Sequence, residues 1–509
     1  MSVQGLSAHA PEGARRLGLG VKLAYGVGLA AEGVKNNAFN VFLLFFYQQL
    51  VGLDPALCGL ALFLSLCADA VLDPAIGAWS DGIRSRLGRR HPFMYASILP
   101  LALSYVAVFL PPQGMGTAGK FLWLLVFSVS TRVAMAFFVI PHQSLVPELS
   151  SESGERASLT SLRVVFAWIF GLINSLAGYT VFMKSTPEQP QGLLNAAGYP
   201  RYAIFGGVVM FGAMAISAFG TQRAARERAG ELRAEGHLSV REVPKAMLGA
   251  LRVPSYRAVV TAGLFLFVGF GMAENLSNYM NTFFWGFTSQ QIGGFIVVIF
   301  LSSLTVLSLA RWLLTRFGSR AVGMGCAVVM ATVGPASIAA RMLGLMPEMG
   351  DPKLFTVLSV VAFINYGGVI LSMTVIGKMI ADVTDEYELV TGARQEGLLF
   401  SANMFLTKAA SGLGTLVSGI LIRLAQFPDS AKLNTVDPSS VRNLGLGGAL
   451  GGIFFGVVTL YFYSRFQLSQ ERHAEIVREL AARRGQKPPA ETPENLKQVA
   501  AYAEGIVES

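Results

Sequence analysis

Charge is scarce in this chain. Of its 509 residues 14% are Asp, Glu, Lys or Arg, 53% are hydrophobic and mean hydropathy is +0.52. Soluble domains carry roughly 25% charged residues, so an ordinary water-soluble globule is excluded. Cysteine is nearly absent. Cys58, Cys67 and Cys326 lie in or beside apolar runs without metal-ligand spacing, which argues against a disulfide framework or a zinc site. The five histidines are scattered and no nucleophile–base spacing stands out, so an enzyme is not expected. No signal-peptide cleavage pattern follows Arg15 and Arg16, and the N-terminus is expected to stay cytoplasmic.

What the chain does have is apolar length. A spanning helix needs about 20 apolar residues. About twelve such stretches are expected, near 22–50, 55–80, 92–110, 121–145, 158–181, 202–220, 259–284, 292–314, 321–345, 354–380, 398–421 and 444–463. The fold class is therefore an all-α membrane protein with 12 transmembrane helices. A polar stretch near the middle divides it into a six-helix half at 1–220, a cytoplasmic linker at 221–257, a second half at 258–466 and a cytoplasmic tail at 467–509. Within the tail, Glu471 to Arg484 reads as a short amphipathic helix.

Net charge is +9, and the excess sits in loops rather than on a nucleic-acid face. Arg84, Arg86, Arg89 and Arg90 follow helix 2, and Arg311, Arg316 and Arg320 surround the 8–9 turn. The loops of the opposite side are poor in basic residues. The positive-inside rule then puts both termini in the cytoplasm of a multi-pass inner-membrane protein. The Arg84–Arg89 motif and the Arg316–Arg320 motif lie six helices apart, a weak internal repeat. Two repeated halves with substrate held between them near the midplane is a transporter plan. A small-molecule substrate, a lipid surround, no nucleic-acid partner and a monomer are expected.

One run in helix 2 organises the rest. Asp69 and Asp73 lie in an otherwise apolar stretch, one turn apart and on one face. Two carboxylates that close in low dielectric do not both ionise cheaply: one takes a proton or a cation sits between them. Oxygen ligands on one face suit a hard monovalent cation. The expected coupling ion is Na⁺, with H⁺ open, and no other cofactor is expected. Helix 1 carries Glu32, Lys35, Asn36, Asn37 and Asn40, which read as a polar cavity face or as a self-neutralising Glu32–Lys35 pair. Helix 7 carries Glu274, Asn275 and Asn278, which line the cavity or bond between helices. Arg132 inside helix 4 reads as structural, paired with Glu32 or another acid.

Four motifs in order resemble one family. They are Asp69-Ala70-Val71-Leu72-Asp73-Pro74, Arg86-Leu87-Gly88-Arg89-Arg90-His91-Pro92, Ile140-Pro141-His142-Gln143 followed by Glu155-Arg156 and Arg163, and Asp382-Val383-Thr384-Asp385-Glu386-Tyr387 through Gly392 with Arg394, Glu396 and Lys408. The chain resembles the glycoside–pentoside–hexuronide:cation symporters, the melibiose-carrier branch of the major facilitator superfamily, over 22–466. Vertebrate sodium-dependent lysolipid carriers share the same core. The resemblance implies the major facilitator fold and a cation-coupled symporter of a sugar, glycoside or sugar acid. It implies that Asp73 serves any coupling cation and Asp69 chiefly Na⁺. It places Lys408 across the cavity from both acids and Arg163 beside the substrate, although Arg163 also reads as a gating ion-pair partner. It makes Asp81, Arg84, Arg89, Arg90, Asp382, Asp385 and Arg394 a cytoplasmic gate.

The sequence departs from that family where sugar is held. Alignment through Tyr25-Gly26 and Ile140-Pro141 sets Gly33 and Val139 where sugar carriers have aspartates, and Gln143 where they have a stacking tryptophan. A lysolipid or other amphiphile is therefore the alternative substrate. A non-transporting membrane sensor or assembly protein is the alternative of another class.

Overall fold

A computed structural model describes residues 17–83, 85, 87–150, 152–187, 189–228, 251, 253–392, 396–429 and 436–483. Those residues form helices and turns, with no strand among them. Nine of the helices are long and apolar enough to cross a membrane. Large apolar side chains such as Leu103, Val208, Phe219, Leu307 and Leu450 face outward. In water that would be costly; in lipid it is the expected exterior.

The first expected span is broken. α1 (Leu19–Val27) stops at Gly28, α2 (Ala30–Asn37) follows, and the chain then underwinds into π-helix over Ala38–Leu43, returns to α3 (Leu44–Phe46) and underwinds again over Tyr47–Val51. Asn36, Asn37 and Asn40 are weak helix formers, and π-turns tend to mark functional segments. α4 (Pro55–Gly82) is continuous. Its 28 residues rise about 42 Å at 1.5 Å each, ample for a bilayer core of about 30 Å. α5 (His91–Val108), α6 (Thr117–Leu149), α7 (Ser153–Ala177) and α8 (Gly198–Arg228) complete the first part of the chain.

The second part holds α9 (Pro254–Tyr279), α10 (Ser289–Met342), α11 (Pro352–Thr391), α12 (Glu396–Leu424), α13 (Pro438–Ser464) and α14 (Gln470–Arg483). α10 is two helices in one 54-residue run, because Gly318 takes φ 76° and ψ 159° between them. A side chain is strained at such a positive φ, so a glycine makes this corner. α11 runs further than the expected 354–380: the segment 382–391, read from sequence as loop, is helix up to Gly392 at φ 74°. Glu386, Glu388 and Leu389 are good helix formers, and a left-handed glycine is a common stop. α14 matches the amphipathic helix expected in the tail; Ile476, Leu480 and Ala481 are its buried side, against α11.

Three helices open with the same device. Asp54, Asp351 and Asp437 cap α4, α11 and α13, each followed by proline at the first helical position. Their carboxylates accept from backbone N–H groups at 2.8–2.9 Å, and proline loses nothing where the N–H has no partner. The backbone N–H of Ser439 holds the Asp437 carboxyl below the usual carboxylate range. These caps share one end of the bundle, called here the Asp54 end. The opposite end, where α4 finishes and α5 begins, is the Arg90 end.

Candidate functional site

α4 packs on α6 and on α12. The α12 contact is close because glycines line it. A Cβ on Gly59 would meet the Thr415 carbonyl at 3.0 Å, one on Gly412 the Leu66 side chain at 2.9 Å and one on Gly419 the Pro55 carbonyl at 2.2 Å. Small residues let helices approach in a bilayer. Lys408 is one turn before Gly412 on the same face of α12. Its Nζ lies 2.6 Å from Oδ2 of Asp73 and 3.4 Å from Oδ2 of Asp69. Asp69 is buried at 6% exposure, whereas the Asp73 and Lys408 side chains are half-buried.

More charges gather around this seam. Arg132 of α6 is buried, donates from Nε to Ser65 Oγ at 3.0 Å and stacks over the Phe39 ring. It lies within electrostatic reach of both aspartates, and buried Lys35 lies within reach of Arg132, Asp69, Glu32 and Lys408. Glu32 and Lys35 do not form an ion pair with each other among the described residues, and Arg132 binds a hydroxyl where sequence suggested an acid. Three cations and three carboxylates thus occupy one region at the mid-depth of the bundle.

Beside this cluster is a cavity of about 730 Å³. Its wall draws on both parts of the chain, from α2 and α7 to α9, α10, α11, α12 and α13. Asn36, Asn37 and Glu274 of the expected cavity residues are in it; Glu32, Lys35, Val139, Gln143, Arg163, Asn275, Asn278 and Lys408 are not. Most of the wall is apolar, including Trp168, Phe267, Met272, Ile296 and Leu358. Val139 is half-buried in α6. Arg163 donates to Gln143 at 3.4 Å on an exposed stretch. The helix 7 trio separates. Glu274 faces the cavity, Asn275 donates to Thr415 at 3.1 Å, and Asn278 donates to the Val41 carbonyl at 2.6 Å while accepting from Tyr179 at 2.7 Å.

Asn278 belongs to a clasp between the two parts of the chain at the Asp54 end. Gln48 donates to Pro428 O and to Asp429, Gln49 donates to Pro428 O, Tyr279 donates to Gln48, and Gln290 donates to Ser185 O. Asp54 and Arg423 approach to 3.7 Å. At the Arg90 end several of the expected gate residues have partners within their own part. Arg90 bonds Ser80 and Glu148, Asp382 bonds Lys378, and Asp385 meets His473 of α14 at 3.1 Å. Arg89 is exposed. Arg84, Arg394 and the Asp81 side chain lie outside the described residues.

A charged seam and a cavity between two helical parts agree with what the chain resembles overall. The family model of the MFS/sugar transport proteins matches residues 24–470. The chain belongs to that family. An uncharacterized symporter of Synechocystis is 28% identical, over 81% of this chain and 87% of its own. Sodium-dependent lysophosphatidylcholine symporter 1-A of Danio rerio is 24% identical over 81% and 79%, and the isoprimeverose transporter of Lactiplantibacillus pentosus 23% over 89% and 90%. The crystal structure of nucleoside transporter NupG superposes with a TM-score of 0.61 at 12% identity, covering 89% of this chain and 99% of that one. The major facilitator fold is therefore shared. The chain is a multi-pass membrane transporter of the symporter type, acting on a small molecule.

Within this MFS family the site has a local peculiarity. Gly33 lies where α2 crosses α7, and a Cβ there would sit 1.9 Å from the Ala167 carbonyl. No aspartate fits at that point, which accounts physically for the departure seen in sequence. The sequence reading also missed wall residues of other helices, Asn281, Asn365, Tyr366 and Trp168. Asn281 carried a usable signal, being two turns beyond Glu274 on one face. The others sit in runs whose apolar pattern hides which face looks inward.

Proposed function

We propose that this chain is a cation-coupled symporter of an amphiphilic small molecule, working by alternating access. The observation that carries the reading is the Lys408 ammonium against Asp69 and Asp73 in the α4–α12 seam. An ammonium and a monovalent metal ion compete for the same two carboxylates. When Na⁺ enters, Lys408 is released and the two parts of the chain lose a link at mid-depth. Two retained acids and an all-oxygen donor set favour Na⁺ over H⁺. The parts are the two six-helix halves, which rock about the cavity. Loop charge puts the Arg90 end in the cytoplasm, so the clasp at the Asp54 end closes the outer side. The apolar wall supports a substrate with an alkyl portion.

A second reading is a glycoside. Asn36, Asn37, Asn40, Asn281 and Asn365 bring amides to the cavity that suit hydroxyl groups, and one relative is named an isoprimeverose transporter. Uptake into proteoliposomes under a Na⁺ or a pH gradient separates them. The expected result is Na⁺-driven uptake of a lysolipid, abolished by Asp73→Asn. Glycoside uptake without lysolipid uptake selects the second reading. Uptake unaffected by Asp73→Asn overturns the coupling site.

A further inference from the structure

Glu274 stands apart from the charge cluster at the seam. Among the described residues of the cavity wall it is the single charged one; no Lys, Arg, His or Asp shares the wall. Its carboxylate makes no hydrogen bond or ion pair with the described residues. The clustered cations do not serve it: Lys408 is engaged with Asp69 and Asp73, Arg132 with Ser65 and the Phe39 ring, and Lys35 has Asp69 and Glu32 as its acidic neighbours. An ionised carboxylate without a counter-ion in a largely apolar cavity is costly, and ionisable groups at membrane depth mark function. When Glu274 is ionised, its counter-ion comes from what enters the cavity.

The surroundings specify its chemistry. Phe270 is one turn before Glu274 on α9 and lines the same wall. Its ring meets Tyr366 of α11 edge-on at 6.5 Å, and Tyr366 is an electrostatic neighbour of Glu274. A bare metal ion would find no second carboxylate here. A carboxylate beside aromatic faces suits an alkylated ammonium, which takes the charge from one and the π-face from the other. Beyond it the wall is apolar, with Met272, Ile296, Ile338 and Leu358 positioned for a chain.

We infer that Glu274 is the specificity-determining acid of the substrate cavity and binds a substituted ammonium group of an amphiphilic substrate, with Phe270 and Tyr366 against its alkyl groups. This rests on the amphiphile reading above and adds the sign of the head group. Titration of purified protein in nanodiscs with hexyltrimethylammonium and with hexyl glucoside tests it. Wild type is expected to bind the ammonium about tenfold more tightly than the glucoside, equivalent to about 1.4 kcal/mol. Glu274→Gln is expected to erase that preference, weakening the ammonium about tenfold more than the glucoside. Glu274→Asp keeps the charge, and is expected to retain part of the preference if the glutamine variant does not fold. Wild type that binds the glucoside as well as the ammonium, or a glutamine variant that weakens both equally, overturns the inference and leaves the amphiphile reading standing. Binding of an unalkylated glycoside with neither hexyl compound overturns both. A glutamine variant that changes the pH profile of uptake and not the ammonium preference makes Glu274 a proton carrier, which also overturns it.

Discussion

The Lys408 ammonium donates to Oδ2 of Asp73 at 2.6 Å across the seam between α4 and α12. With the contact to Asp69, it is the charged link between the first and second parts of the chain at mid-depth, while the clasp links them at the Asp54 end. It also fills the space between two acids that a transported cation would need. A half-buried ion pair of this kind adds little net stability, because partial desolvation offsets its attraction. Its value is that it is breakable.

Removing the ammonium exposes the acids to each other. Two unit charges about 4 Å apart interact by about 4 kcal/mol at an effective dielectric of 20. Lys408→Gln is expected to raise Na⁺ affinity at least about tenfold and to abolish coupled uptake. Melting temperature titrated against Na⁺ reads the first effect. An unchanged Na⁺ midpoint would show that Lys408 and the ion do not compete.

Gly33 makes a packing prediction. With 1.9 Å between its Cβ position and the Ala167 carbonyl, Gly33→Ala forces α2 and α7 apart. Overpacking of this kind costs about 1–3 kcal/mol, and a lower melting temperature with reduced substrate binding is expected. Gly33→Asp, which would restore the family's sugar-binding aspartate, is expected to destabilise further and not to confer glycoside uptake. Equal melting temperatures for glycine and alanine would refute the close crossing.

The clasp makes a conformational prediction. Asn278→Ala removes the bond to the Val41 carbonyl and the bond from Tyr179. Losing about 1–3 kcal/mol moves a two-state equilibrium by about 5- to 150-fold. Spin labels at Gln113 and Met349, on the two parts at the Asp54 end, are expected to show a longer distance population in the variant. An unchanged distance distribution would mean that the bond does not hold that end shut.

The tail helix predicts a separable effect. Ile476 is buried in the contact of α14 with α11. Ile476→Asp is expected to undock α14, seen as fast hydrogen exchange over 470–483, with the melting temperature of the spans nearly unchanged. Slow exchange in the variant would place the anchor in the polar contacts of His473 and Arg483 instead.

Much of the fold was legible because a bilayer imposes length and polarity on every span. Both ends of α5 came from proline punctuation, whereas α13 begins at Pro438, ahead of the expected 444. The first span was misread as continuous, since nothing in its hydropathy marks the break at Gly28 or the π-turns that follow. The 382–391 segment was misread as loop because its charges resemble a solvated turn, yet Glu386 and Glu388 also favour helix. Lys408 beside Asp69 and Asp73 was foreseen from motif resemblance, not from periodicity. The separation of Glu274, Asn275 and Asn278 was not, because a helix apolar all round does not announce which face meets lipid, a neighbour or a cavity.

Most bonds of the clasp at the Asp54 end join amides, carbonyls and hydroxyls, among them Gln48, Gln49, Asn278, Tyr279, Gln290 and Ser185; its charges are the Asp429 carboxylate and the Asp54–Arg423 pair, at the rim of the bundle. An electric field across the membrane does about 2.3 kcal/mol of work per elementary charge per 100 mV, and it does almost none on neutral dipoles that part and re-pair. The closing strength of that end is therefore nearly blind to voltage. The field acts chiefly at mid-depth, on the ammonium of Lys408 and the carboxylates it touches, so membrane potential biases the seam and leaves the clasp mainly to hydrogen bonding.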